Sequence, residues 1–120
     1  MADVEDILTR NLLEVFGERD DARRRAVIDE LYDADVLFQD PEGAVRGRDA
    51  IDAKVAALLA DAPPAFAFRP TGPVRVSGDL GVLTWALGPE GGEPVVTGTD
   101  IALTQDGRIV RLHTLLDGGV

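Results

Sequence analysis

Cysteine is absent from this chain, and histidine, tryptophan, tyrosine and methionine occur once each. No disulfide framework, thiolate nucleophile or thiolate metal site can therefore be built from it. With His113 as the sole histidine, one chain has neither a histidine metal cluster nor a second histidine base. Positive charge is scarce too. Twelve Lys and Arg stand against 22 Asp and Glu, a formal net charge of −10 with a pI near 4.4. That balance opposes phosphate backbones and anionic lipid, which need a positive surface. Arg23, Arg24 and Arg25 lie between Asp20-Asp21 and Asp29-Glu30, so they read as a solvated helix face laced with ion pairs.

Long apolar runs are missing: none approaches the roughly 20 residues of a membrane-spanning helix. The acidic start, Met1 to Asp6, lacks the positive and apolar regions of a secretory signal, and a soluble cytoplasmic protein is expected. Ser77 has no Gly-x-Ser-x-Gly setting. Gly88 to Gly92 sits in a hairpin context with no helix behind it, so it is no phosphate-binding loop. What remains is globular: 120 residues, 45% apolar and 28% charged, expected as a single domain over 1–120 with one core.

Apolar residues at Ile7, Leu8, Leu12, Leu13, Val15 and Phe16 recur with helical spacing, and Gly17 stops that helix. A second helix is predicted from about Asp20 to Asp33, with Ala26, Val27, Leu31 and Tyr32 as its apolar stripe. Val36 to Asp40 reads as a strand ended by Pro41, and 41–47 as a loop. A third helix starts near Arg48, puts Ile51, Val55, Leu58 and Leu59 on one face, and ends at Pro63-Pro64. After it everything reads β: 66–68, 74–76, 82–87, 94–104 and 108–116, separated by Gly, Pro and Asp turns. Helices followed by an antiparallel meander predict an α+β fold, a curved antiparallel sheet wrapped as a cone around three N-terminal helices.

Two aspartates stand out against this pattern. Asp40 ends a strand and Asp100 lies in the middle of one, where a carboxylate on the inward face costs several kcal/mol unless it is paired, hydrated or protonated. Alternation puts Asp100 on the same face as Leu83, Trp85, Leu87, Leu112, Thr114 and Leu116. Together with Phe38 these seven predict the wall of an apolar pocket. The alternatives are structural: Asp40 capping amides in the Glu42-Gly43 turn, and Asp100 bonded to the first helix, to Asn11.

The order of elements, the stretch Leu31 to Pro41, the helix after Gly47-Arg48-Asp49-Ala50-Ile51, and Asp100 followed by Gln105 to Val110 resemble the nuclear-transport-factor-2-like superfamily, in its SnoaL-like and ketosteroid-isomerase-like branch. The resemblance covers nearly the whole chain. It implies that Asp40 falls at the general base of such isomerases, and Asp100 at the protonated acid that donates to a developing enolate oxygen. Those isomerases are a standing example of two aspartates tuned apart by their surroundings. Where the isomerases place a tyrosine donor on the first helix, this chain has Asn11, here a candidate second donor. Tyr32, the lone tyrosine, is expected in the second helix and the core. The final-strand His and Asp of SnoaL-type cyclases correspond to Leu112 and Thr114, and His113 faces the other side of the sheet.

The resemblance therefore implies a cofactor-free, metal-free isomerase or cyclase acting on a steroid-, polyketide- or terpenoid-like carbonyl compound. The alternative is a non-catalytic homodimer, a ligand carrier or interaction module. It would pair through the outer sheet face at Thr97, Thr99, Arg111 and His113.

Overall fold

The computed structural model describes residues 3–117. Helix α1 (Val4–Arg10) starts at Asp3, whose carboxylate accepts the Asp6 N–H at 2.8 Å. That bond satisfies one of the orphan donors of the first turn. From Asn11 the helix widens into a π-helical turn (Asn11–Phe16), closed by Gly17 donating its N–H to Leu12 O at 2.9 Å. Such wide turns concentrate at functional sites, and this one aims Leu12 and Phe16 at the interior.

Helix α2 (Asp21–Leu31) is capped by Asp20, which accepts from Arg23 N–H at 2.8 Å. It ends two residues before the expected Asp33, because Tyr32 already belongs to β1 (Tyr32–Asp40). Tyr32 is fully buried, as expected, though from a strand. The solvated reading of the arginine cluster fails at its middle member. Arg24 is 2% exposed and bonds Asp52 at 2.7 Å, Asp21 at 2.6 Å and Glu18 O at 3.0 Å. It ties α2 to α3 (Arg48–Asp61) as a paired interior charge.

The predicted loop 41–47 contains a further strand, β2 (Gly43–Arg46), folded back on β1 with Asp40 opposite Gly43. Gly43, at φ 138°, supplies a backbone conformation that a side chain would strain. The remaining strands are β3 (Phe66–Pro70), β4 (Arg75–Ser77), β5 (Leu80–Pro89), β6 (Val96–Gln105) and β7 (Arg108–Leu116). They form one unclosed, curved sheet in the order β2-β1-β7-β6-β5-β3, with β4 paired to β5.

The cone-like α+β architecture is as expected, with one correction: the sheet is mixed. β1 runs parallel to β7, Phe38 opposite Leu112 and Gln39 opposite His113. The two strands are joined through most of the chain and not by a hairpin, so nothing forces them antiparallel. Elsewhere the registers set Leu83 opposite Asp100, Trp85 opposite Gly98, and Asp100 opposite Thr114. The helices cover the concave face at one end. There Gly81 lets α1 approach so closely that a Cβ would lie 2.6 Å from Val4 Cγ1.

Candidate functional site

Where the helices do not fill the cone, a cavity of about 830 Å³ remains. Its aromatic wall comes from the π-turn (Phe16), β1 (Phe38), β3 (Phe68) and β5 (Trp85). Phe68 and Trp85 pack edge to face with centroids 5.3 Å apart, and Phe16 touches Phe38 at 6.0 Å and Phe68 at 6.3 Å. Opposite them α3 presents Ala50, Ala53 and Ala57, spaced on one helical face, and these short side chains leave the space open. Leu58, read from the sequence as sharing one helical face with Ile51, Val55 and Leu59, lies instead on this cavity face and is 39% exposed.

Asp40 and Asp100 both line the cavity. Asp100 is 4% exposed, and its Oδ1 accepts from Trp85 Nε1 at 3.0 Å and Thr114 Oγ1 at 2.8 Å. Oδ2 has no hydrogen-bond partner among the described residues. Burial pushes the carboxyl up to about 6, against the opposing pull of Thr114 and then Trp85. The space for this arrangement is made by Gly98, where a Cβ would sit 2.5 Å from Trp85 Cζ2 and 2.6 Å from Leu115 O. No side chain fits beneath the indole.

Asp40 is engaged on both oxygens. Oδ1 accepts the Glu42 N–H at 2.9 Å, which is the turn cap weighed from the sequence. Oδ2 accepts from Lys54 Nζ, also at 2.9 Å, and the same ammonium bonds Glu42 Oε1 at 2.9 Å. Lys54 is the only lysine in the chain and projects from α3 to 6.0 Å from the centre of the Phe38 ring. Its pKa is raised, first by Asp40 and then by Glu42. Sequence reasoning missed this residue. The available signal was a single lysine among the alanines of α3, with helical spacing to Ala50 and Ala57.

Of the other residues singled out from the sequence, Phe38, Trp85, Thr114 and Leu116 line the cavity. Leu83, Leu87 and Leu112 are buried in the core and do not. Strand alternation gave their face correctly, but the helices cover that part of the face. Asn11 needs correcting as well. It is fully buried and outside the cavity wall; its Oδ1 accepts from the Tyr32 hydroxyl, and Nδ2 has no partner among the described residues. The Asp100–Asn11 bond considered as a structural alternative does not form; Trp85 and Thr114 take that place. His113 is half-buried on β7 and outside the cavity. Among the described residues no group of three or more His, Cys, Asp or Glu is disposed to hold a metal ion, and no helix is long and apolar enough to cross a membrane.

The molecule is thus an open α+β cone with an apolar interior cavity whose wall holds Asp40, Glu42, Asp61 and Asp100. Residues 9–112 match the SnoaL-like domain, and the chain belongs to that family. Among solved structures it is similar to a candidate isomerase of the SnoaL-like family from Agrobacterium tumefaciens, with TM-score 0.85 and 26% identity over 94% of this chain and 96% of that one. A candidate polyketide cyclase from Sinorhizobium meliloti shares the fold at TM-score 0.72, with 24% identity over 93% and 95% of the two chains. So does a candidate ketosteroid isomerase from Kribbella flavida, at TM-score 0.69 and 16% identity over 97% of this chain and 78% of that one. No curated protein sequence matches.

Proposed function

We propose that the chain binds an apolar, carbonyl-bearing small molecule in this cavity and moves a proton on it without a cofactor, in an isomerase- or cyclase-like step. The observation that carries the reading is the contrast between Asp40 and Asp100 in one cavity: Asp100 is buried and its carboxyl pushed toward the neutral form, while Asp40 is held by a cation. A steroid-, polyketide- or terpenoid-like skeleton suits the aromatic and alanine walls.

In the proposed step Asp40 takes the proton from the carbon between a carbonyl and a neighbouring double bond. The electron pair moves toward the carbonyl, and neutral Asp100 donates its O–H to the enolate oxygen. Asp40 then returns the same proton to the far carbon, and the double bond ends in conjugation. At neutral pH the free carboxyl of Asp100 is mostly ionised. A ligand that expels water from the cavity would desolvate it further and favour the donor form.

The test uses a cyclic β,γ-unsaturated ketone in deuterated buffer, followed by NMR for double-bond migration and deuterium incorporation. Asp40→Asn is expected to lower the rate ~10²–10⁴-fold, the usual contribution of a positioned base. An unchanged rate in Asp40→Asn would remove Asp40 from the role.

The second reading is a non-catalytic dimeric carrier. It is favoured by Asn11 being turned away from the cavity and by Lys54 occupying Asp40. The outer face around Thr97, Thr99, Arg111 and His113 also carries Leu115, 55% exposed, which suits pairing of two copies. Saturable binding of the ketone with no turnover would decide for a carrier, and sedimentation would report the dimer.

A further inference from the structure

A lysine beside an apolar cavity invites the expectation of an acidic ligand, a fatty or aromatic acid whose carboxylate meets the ammonium. The geometry around Lys54 contradicts that. Its Nζ already contacts two carboxylates at 2.9 Å, Asp40 and Glu42. The cavity lining contributes a third outward carboxylate, Asp61, about two turns beyond Lys54 along α3, and no further cation among the described residues. Glu42 (82% exposed side chain), Leu58, Asp61 and Leu116 are among the solvent-exposed members of the lining and so help to mark its open end. The charges there are three carboxylates against one ammonium that they already neutralise.

We propose that Asp40 and Glu42, by occupying Lys54, determine specificity: the cavity takes an apolar ligand whose outward end is neutral or basic and rejects one ending in a carboxylate. This rests on the cavity being the ligand site proposed above, and it narrows that ligand to a neutral or amine-bearing compound. An incoming carboxylate would have to displace Asp40 or Glu42 from Lys54, and would leave the displaced group beside two others of the same sign. An ammonium meets the surplus negative charge directly. A neutral hydroxyl or carbonyl meets it without penalty. Lys54 is also a poor nucleophile in this setting, since both partners hold its proton, so attachment of a carbonyl ligand through an imine is not part of the proposal.

Three rigid probes of one shape separate the possibilities: 1-adamantanamine, 1-adamantanol and 1-adamantanecarboxylate, titrated at neutral pH and low salt against the emission of Trp85, the single tryptophan, which lines the cavity. The amine is expected to bind roughly tenfold or more tightly than the carboxylate, with the alcohol between, as unit charges a few ångström apart near a solvated surface imply. Added salt should narrow the spread. Glu42→Gln releases one bond of Lys54 and should bring the carboxylate up severalfold. Lys54→Met should widen the gap between amine and carboxylate.

Carboxylate binding as tight as amine binding in the unaltered protein overturns the proposal. So does a spread of affinities that neither substitution moves. If none of the three quenches Trp85, the cavity is not a ligand site, and the broader reading fails first. If all three bind alike, the cavity reading stands and only the charge selectivity is lost. Glu42 is an exposed loop residue, so Glu42→Gln keeps the test open should Lys54→Met fold poorly.

Discussion

Trp85 and Asp100 meet diagonally across β5 and β6, and the indole N–H donates to the carboxyl Oδ1 at 3.0 Å. One residue thus supplies both the apolar wall that desolvates the acid and a bond that favours its anion. Desolvation is the larger effect, which is why the carboxyl sits near 6.

The first prediction concerns stability and pH. Because the folded carboxyl of Asp100 is raised from 3.8 to about 6, the folded chain holds a proton there that the unfolded chain releases. The stabilising contribution is fully present below the unfolded value and is lost as pH rises through the folded one. Between about pH 4 and 7 this single group should cost about 3 kcal/mol as an upper figure. Asp100→Asn should remove that dependence, gaining on the unaltered protein as pH rises. Denaturant midpoints for both proteins across that range check it, and parallel curves would be the contrary result.

Lys54 offers a chemical readout. Its raised pKa depends first on Asp40 and then on Glu42. Asp40→Asn and Glu42→Gln should each speed acylation of residue 54 by an amine-directed reagent severalfold, with the larger effect from Asp40→Asn. Mass mapping of the peptide that contains the chain's single lysine measures it. Equal rates in all three proteins would mean that the ion pairs do not persist in solution.

Gly98→Ala should displace the indole, since a Cβ there would lie 2.5 Å from Cζ2 and within 2.6 Å of the Leu115 carbonyl. Overpacking of this kind costs about 1–3 kcal/mol. The Trp85–Asp100 bond should break, and Trp85 emission should shift to the red as the ring moves toward solvent. An unshifted spectrum with unchanged stability would contradict the fit described.

The Tyr32 hydroxyl donates to Asn11 Oδ1 in a fully buried pair whose Nδ2 is already without a partner among the described residues. Burial, and next the charge of Asp100, push the phenol well above its ordinary value, so it stays a donor. Tyr32→Phe should cost about 1–3 kcal/mol by leaving the amide wholly unsatisfied. Adding Asn11→Leu to Tyr32→Phe should recover part of that loss, which a double-mutant cycle of thermal or denaturant unfolding reports.

The sheet was legible because its residues obey local rules. Period-two alternation from Val82 to Leu116 placed Trp85, Gly98, Asp100 and Thr114 on one face, and the registers agree. The parallel pairing of β1 with β7 was not legible, because no local signal encodes which distant edge a strand will meet. Arg24 misled for a similar reason. Its flanking acids suggested water, while the partner that buries it, Asp52, lies 28 residues away on another helix. At the site, Asp40 and Asp100 were visible as charges out of keeping with their strands. Which part of the inward face stays uncovered depends on how α1 and α3 seat against the sheet. That seating separates Leu116, in the cavity wall, from Leu112, in the core. It also decides that Lys54 turns inward.

The parallel ladder has a consequence for how the chain acquires its site. Asp40 arrives on the first strand, Asp100 on the sixth, and Thr114 on the last, which is also the strand that bridges β1 to the rest of the sheet. Until β7 docks, the two carboxyls belong to separate fragments of sheet. Long-range pairings of this kind are slow to form, so the cavity would be among the last features assembled during folding and the first dismantled when the β1–β7 seam opens.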